Sequence, residues 1–108
     1  MIDCHSHIIP NVDDGSKSIE ETFNLIKEAK EVGFDSIIST SHYIEEYYEV
    51  SAPERKTWID AIQQGVNQQE IGINLYLGNE IYITPNIIEL LKTKKATTIN
   101  QTNYVLFE

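Results

Sequence analysis

The chain has 108 residues with 17 acidic and 8 basic side chains, a formal net charge of -9. One domain is the default at this length, and a hydrophobic content of 41% fits a folded rather than a disordered chain. The acidic balance repels phosphate backbones and argues against general nucleic-acid binding, while leaving room for a small phosphorylated substrate drawn in by metal ions.

The single cysteine, Cys4, excludes an internal disulfide and suits a reducing cytoplasm. Met1-Ile2-Asp3-Cys4-His5 lacks the basic stretch and apolar core of a secretory signal. No run approaches the ~18 apolar residues of a membrane span. A soluble cytoplasmic protein with no membrane insertion is expected.

In chain order, Ile2 to His5 reads as a first strand, followed by a polar loop with Pro10 and the turn signal Asp13-Asp14-Gly15. Ser18 and Glu21 have capping-box spacing and open a helix whose apolar residues Ile19, Phe23, Ile26 and Ala29 recur at helical intervals. Gly33 is placed to end it. Ser36 to Ser39 reads as the second strand, and His42 to Val50 as a polar, aromatic loop. Ser51 and Glu54 repeat the capping spacing, with Pro53 in the first turn and Trp58, Ala61, Ile62 and Val66 as the apolar stripe. The third strand is Ile73 to Leu77. Thr84 as cap and Pro85 at the first helical position introduce a third helix, with Ile87, Ile88 and Leu91 buried and Lys92, Lys94 and Lys95 at its C-terminal end. Tyr104 to Phe107 is the fourth strand. This alternation predicts an α/β fold with parallel strands, either a small open sheet or the first half of a barrel, which typically needs roughly 250 residues.

His5 and His7 are two apart at the end of the first strand, so their imidazoles share a face and can chelate one ion. Asp3 is expected on the same face, orienting an imidazole, with Ile2 and Cys4 packed on the other. Asp13-Asp14 follows the first strand, His42 the second and Glu80 the third, and Glu108 ends the fourth. Singly each has a bland reading as a turn, a surface histidine or a solvated charge. Together they deliver ligand-type residues to the carboxyl ends of all four strands, where parallel α/β folds place their sites. Mixed histidine and carboxylate donors suit manganese, iron or zinc, and clustered ions generate hydroxide and clamp phosphoryl groups. With no Ser-His-Asp signature and no phosphate-binding P-loop, the expected nucleophile is water held by the metals.

Met1-Ile2-Asp3-Cys4-His5-Ser6-His7, Asp13-Asp14-Gly15, Ser39-Thr40-Ser41-His42 and Gly78-Asn79-Glu80-Ile81-Tyr82 together resemble the PHP (polymerase and histidinol phosphatase) type of bacterial protein-tyrosine phosphatase, found in capsular and exopolysaccharide biosynthesis. The resemblance runs from Met1 to Glu108. It implies the N-terminal portion of a distorted (βα)7 barrel holding three metal ions, usually manganese or iron. It also implies a substrate: the tyrosine kinase that controls polysaccharide chain length and export. By the same resemblance His5, His7 and Glu80 match ligands of the first metal, and Glu80 and Glu108 those of the second, with Glu80 bridging. Asp14 and His42 match ligands of the third, and the choice of Asp14 over Asp13 comes from the family motif. The family's second half supplies a further His, an Asp-x-His pair and an Arg, whereas no histidine here follows His42. The chain is therefore expected to be a truncated portion of one domain. The acidic loop Tyr43-Ile44-Glu45-Glu46-Tyr47-Tyr48-Glu49 departs from the basic loop of many relatives. Two alternatives remain: a phosphoesterase for histidinol phosphate or another small molecule, and a non-catalytic remnant that binds a metal or the kinase.

Overall fold

The computed structural model describes residues 1–108. Strand β1 (Ile2–Ser6) is followed by helix α1 (Ile19–Glu31), β2 (Ser36–Tyr43), α2 (Ala52–Gln68), β3 (Asn74–Ile81), α3 (Ile87–Lys92), a helical turn at Ile99–Gln101, and β4 (Leu106–Phe107). The strands are all parallel and lie side by side in chain order, β1-β2-β3-β4. Sequential parallel strands, each separated from the next by helix, form a half-barrel. No helix is long and apolar enough to cross a membrane.

Both expected N-caps form. Ser18 Oγ accepts from Glu21 N at 3.0 Å, and Ser51 Oγ accepts from Glu54 N at 3.3 Å. Gly33 follows α1 with φ +108, a conformation that only glycine adopts freely. The core lies between the helices and one face of the sheet. Ile26 of α1 and Ile59, Ile62 and Val66 of α2 meet Ile37 of β2 and Leu75 of β3. Each such side chain contributes roughly 1.5–3 kcal/mol by leaving water. A second cluster of Tyr43, Ile81, Leu90 and Ala96 seals the upper end of β2 and β3 under α3.

Several expectations change. β2 and β3 run four residues further than the apolar pattern, through Thr40-Ser41-His42-Tyr43 and Gly78-Asn79-Glu80-Ile81, with His42 paired to Glu80. These are central strands, so the ladder continues where the side chains turn polar. The stripe of α2 is Arg55, Ile59, Ile62 and Val66, with Ala61 exposed. The third helix begins at Ile87 rather than at Pro85, because Thr84 and Pro85 form a turn closed by Ile87 N on Thr84 O at 3.2 Å. Leu90 is its buried residue and Ile88 is exposed. β4 is shorter than expected. Cys4 and Ile2 are exposed, since β1 is an edge strand that no helix covers.

The loop after β1 is not simply polar. Ile8, Ile9 and Val12 are buried in the main core, and Thr22 Oγ1 donates to Ile8 O at 2.5 Å. Ser16 N donates to His7 O at 3.1 Å and Asn11 N to Ser16 O at 2.9 Å. The segment carrying Asp13 and Asp14 is thus fixed at both ends.

Candidate metal centre

Four parallel strands present their carboxyl ends to one edge, and all six expected ligand residues meet there. β1 and the residue after it supply His5 and His7, the anchored loop supplies Asp14, β2 His42, β3 Glu80, and Glu108 follows β4. Three overlapping triplets each hold their donor atoms within 4.8 Å of one another: His5, His7 and Glu80; His7, Asp14 and His42; His42, Glu80 and Glu108.

Glu80 is the hub. Its Oε2 lies 2.8 Å from His5 Nε2, 2.7 Å from His7 Nε2 and 3.6 Å from His42 Nδ1. Burial by itself raises the Glu80 pKa. Hydrogen bonding to His5, Glu108 and His7, with the charge of His42, outweighs it and holds the carboxyl below its ordinary value. Glu108 is positioned through its backbone, with N donating to Ile81 O at 3.1 Å and O accepting from Ile83 N at 3.0 Å.

The two neighbouring aspartates divide in role. Asp13 Oδ1 accepts from Gly15 N and Asp13 Oδ2 from His42 N, each at 2.9 Å. Its side chain is wholly buried, 3.6 Å from His7 Nδ1. It braces the loop and the end of β2. Asp14 is 65% exposed, with Oδ1 3.5 Å from His7 Nδ1 and 3.3 Å from His42 Nε2, and no backbone donor occupies it. Gly15 makes this approach possible, since a Cβ there would lie 2.4 Å from His7 Cβ and 2.4 Å from His7 O. Asp3 departs from expectation. The β1 register slips between Asp3 and Ser6, and Asp3 Oδ1 accepts from the backbone N of His5 at 3.0 Å. It supports the strand rather than an imidazole. Thr40 Oγ1 spans the slip, accepting from Ser6 N at 3.0 Å and donating to Ser6 O at 3.2 Å.

The donor set fits metal ions on three grounds. An ion about 2.2 Å from each donor places donors up to roughly 4.4 Å apart, close to the spread of each triplet. Four carboxylates, Asp13, Asp14, Glu80 and Glu108, crowd three histidines, a mutual repulsion that cations relieve. The ring nitrogen Nδ1 of His42 is buried without a hydrogen-bond partner, a costly arrangement for any polar atom with nothing to bind.

Sequence reasoning missed the support behind these candidate ligands. Asn79 is buried beside Glu80, where its Nδ2 donates to Ser41 O at 2.9 Å and its Oδ1 accepts from Thr97 N at 2.9 Å. Arg55, 1% exposed, donates to Gly78 O at 2.8 Å and to Val50 O and Thr97 Oγ1 at 3.3 Å. Burial lowers its pKa to about 10, offset only in part by the charge of Tyr43. The signal for Arg55 was available, since it occupies the position i−4 to Ile59 on the buried face of α2. A polar residue on an apolar stripe with no carboxylate partner announces a structural role. Tyr48, in the loop after β2, stacks on the His42 ring with centroids 5.9 Å apart and planes at 19°.

The family model described as capsular polysaccharide synthesis, CpsB/CapC, matches residues 1–108. The tyrosine-protein phosphatase CpsB of Streptococcus pneumoniae is 39% identical over 110 residues, covering 100% of this chain and 44% of that protein. CapC of Staphylococcus aureus is 37% identical over 108 residues, covering 100% and 42% respectively. The chain thus spans less than half the length of these relatives. A solved structure from work on YwqE of Bacillus subtilis and CpsB of S. pneumoniae, described as metal-dependent tyrosine phosphatases, matches with a TM-score of 0.91. It is 26% identical over 99% of this chain and 43% of that one. A half-barrel with ligand-type residues on every strand end, matched along its whole length, belongs to the CpsB/CapC capsular polysaccharide synthesis family.

Proposed function

We propose that the protein carrying this chain hydrolyses phosphomonoesters with metal ions held by His5, His7, Asp14, His42, Glu80 and Glu108, and that its substrate is phosphotyrosine on a tyrosine kinase of capsular or exopolysaccharide synthesis. The observation that carries the reaction class is the set of three overlapping donor triplets sharing Glu80, His7 and His42. Substrate and partner rest on what the relatives are named, tyrosine-protein phosphatases. Bound metals would polarise a phosphoryl oxygen and lower the pKa of water. Manganese or iron in a cluster of three suits the mixed imidazole and carboxylate donors, with the reaction taking place in the cytoplasm.

The chain's own residues hold and orient. Glu80 is shared between two triplets, so it fixes their separation, and Asp13 fixes the His42 backbone relative to the Asp14 loop. His5 and Asp14, both more than half exposed, lie on the solvent side of the centre, where a substrate could reach the ions.

The test is hydrolysis of a phosphotyrosine peptide by the protein with manganese, before and after chelation, alongside a His5→Ala, His7→Ala double variant. Chelation and the double change should each abolish turnover. Turnover that survives both would remove the metal centre from the reaction, and absence of turnover in the manganese-loaded protein would end the phosphatase reading.

A further inference from the structure

Beside the metal centre lies an apolar surface that the ligands do not use. A cavity of about 420 Å³ is lined by Ile44, Tyr47, Tyr48 and Tyr82 alone. Tyr47 is 79% and Tyr82 49% exposed. The loop holding the first three folds back on itself: Ile44 N donates to Tyr48 O at 2.9 Å and Tyr48 N to Ile44 O at 2.8 Å. Glu46, with φ +70, turns the chain between them. Tyr82 N donates to Tyr43 O at 3.1 Å, tying the end of β3 to the same loop. Backbone bonds therefore fix the segments that carry these rings. Tyr48 joins this wall to the centre by stacking on His42.

We propose that Ile44, Tyr47, Tyr48 and Tyr82 form the subsite for the ring of an aryl phosphate, which deepens the phosphomonoesterase reading and rests on it. In an aryl phosphate the ring is one oxygen removed from phosphorus. With phosphorus at the metal centre, the ring must lie against whatever borders that centre, and on the His42 side the border is Tyr48. Three tyrosines and an isoleucine offer faces and edges for aromatic packing. An alkyl phosphate leaves the same surface wet and gains nothing from it. The wall therefore selects aryl over alkyl esters through binding of the ring, without touching the phosphoryl group.

The test compares phenylphosphonate with methylphosphonate, by calorimetry on the manganese-loaded protein, in wild type, a Tyr47→Ala, Tyr82→Ala double variant and Tyr82→Phe. The substituted rings are outside the core and outside the ligand set, so fold and metal content should stay constant. Wild type should prefer the phenyl compound. The double variant should lose about tenfold of that preference, the scale of two aromatic contacts, with methylphosphonate affinity unchanged and Tyr82→Phe like wild type. In turnover the same loss should appear in KM for phenyl phosphate. Equal affinity of wild type for the two probes, no affinity for either, or a preference that survives the double change would overturn the subsite. The last result is also expected if a second copy or another part of the protein covers these rings. Selective loss of phenylphosphonate binding in a protein that hydrolyses no phosphoester would keep the subsite and remove the phosphatase reading.

Discussion

Replacing Arg55 with methionine sets two opposing terms against each other. The guanidinium is almost fully buried, no carboxylate pairs with it, and its pKa is lowered to about 10. Holding the cation there costs about 3 kcal/mol in lost solvation. Against this stand three hydrogen bonds, to Gly78 O at 2.8 Å and to Val50 O and Thr97 Oγ1 at 3.3 Å. Bonds to charged groups contribute about 1.5–3 kcal/mol each, with the two longer ones at the weak end, so the bonds win by a few kcal/mol. Methionine keeps the apolar stem but leaves two backbone carbonyls without their donor, at about 1–3 kcal/mol each. The expected loss is about 3–5 kcal/mol, a large share of the ~5–15 kcal/mol typical of a domain. Urea denaturation of the metal-free protein, read as a shift in midpoint at constant slope, measures it. Lysine, which keeps the charge but not the fork, should fall between. A methionine variant as stable as wild type would refute the reasoning, showing that desolvation outweighs the bonds as it does for some buried ion pairs.

Three further outcomes follow from the same geometry. Glu80 belongs to two of the donor triplets and His5 to one, so Glu80→Ala should reduce bound metal per protein more than His5→Ala, as measured by elemental analysis after dialysis. Gly15→Ala puts a Cβ 2.4 Å from His7 Cβ and O. It should push the Asp14 loop off His7, weakening metal binding at least tenfold and costing about 1–3 kcal/mol in stability. Gly65→Ala drives a Cβ to 2.4 Å from Phe23 Cζ where α1 meets α2. It should cost less than Gly15→Ala in thermal denaturation, because the Phe23 ring tip can shift and alanine favours the helix by about 1 kcal/mol, and it should leave metal affinity unchanged, because neither residue touches the candidate ligands.

The parts of this molecule legible in its sequence are those set by local chemistry. Ser18 and Ser51 cap helices through bonds to residues three positions on, and the spacing alone reveals them. The candidate ligand residues were legible because each falls at the end of an expected strand or in the loop just after it. What was not legible depends on pairing across the chain. β2 continues to Tyr43 because β3 is beside it in register, not because Thr40, Ser41 and His42 favour strand. The alternation from Asp3 to His5 fails because the β1 register slips, which a period-two reading has no means to register. Asp13 and Asp14 are adjacent acids in sequence. Only the folded loop shows that backbone donors take up the first and leave the second open.

The upper ends of β2 and β3 carry polar groups on both faces, which bears on where stability resides. His42 and Glu80 gather at the centre, while Ser41 O, Asn79, Thr97 and Arg55 are bonded to one another behind them. Such a region gives up apolar packing and must be held by hydrogen bonds. The isoleucine-rich cluster beneath the helices then supplies the hydrophobic stabilisation on which the site draws. Without metal, the four carboxylates repel one another, so the ligand set itself is a cost. Neutralising Asp14, an exposed member of the set that braces no backbone group, should show this. Asp14→Asn should raise the stability of the metal-free protein by about 0.5–1 kcal/mol, the scale of a partly solvated charge interaction, and should lower it relative to wild type once manganese is added. A metal-free protein destabilised by Asp14→Asn would mean that the contacts of Asp14 with His7 and His42 outweigh the repulsion, and that the centre is preformed rather than strained.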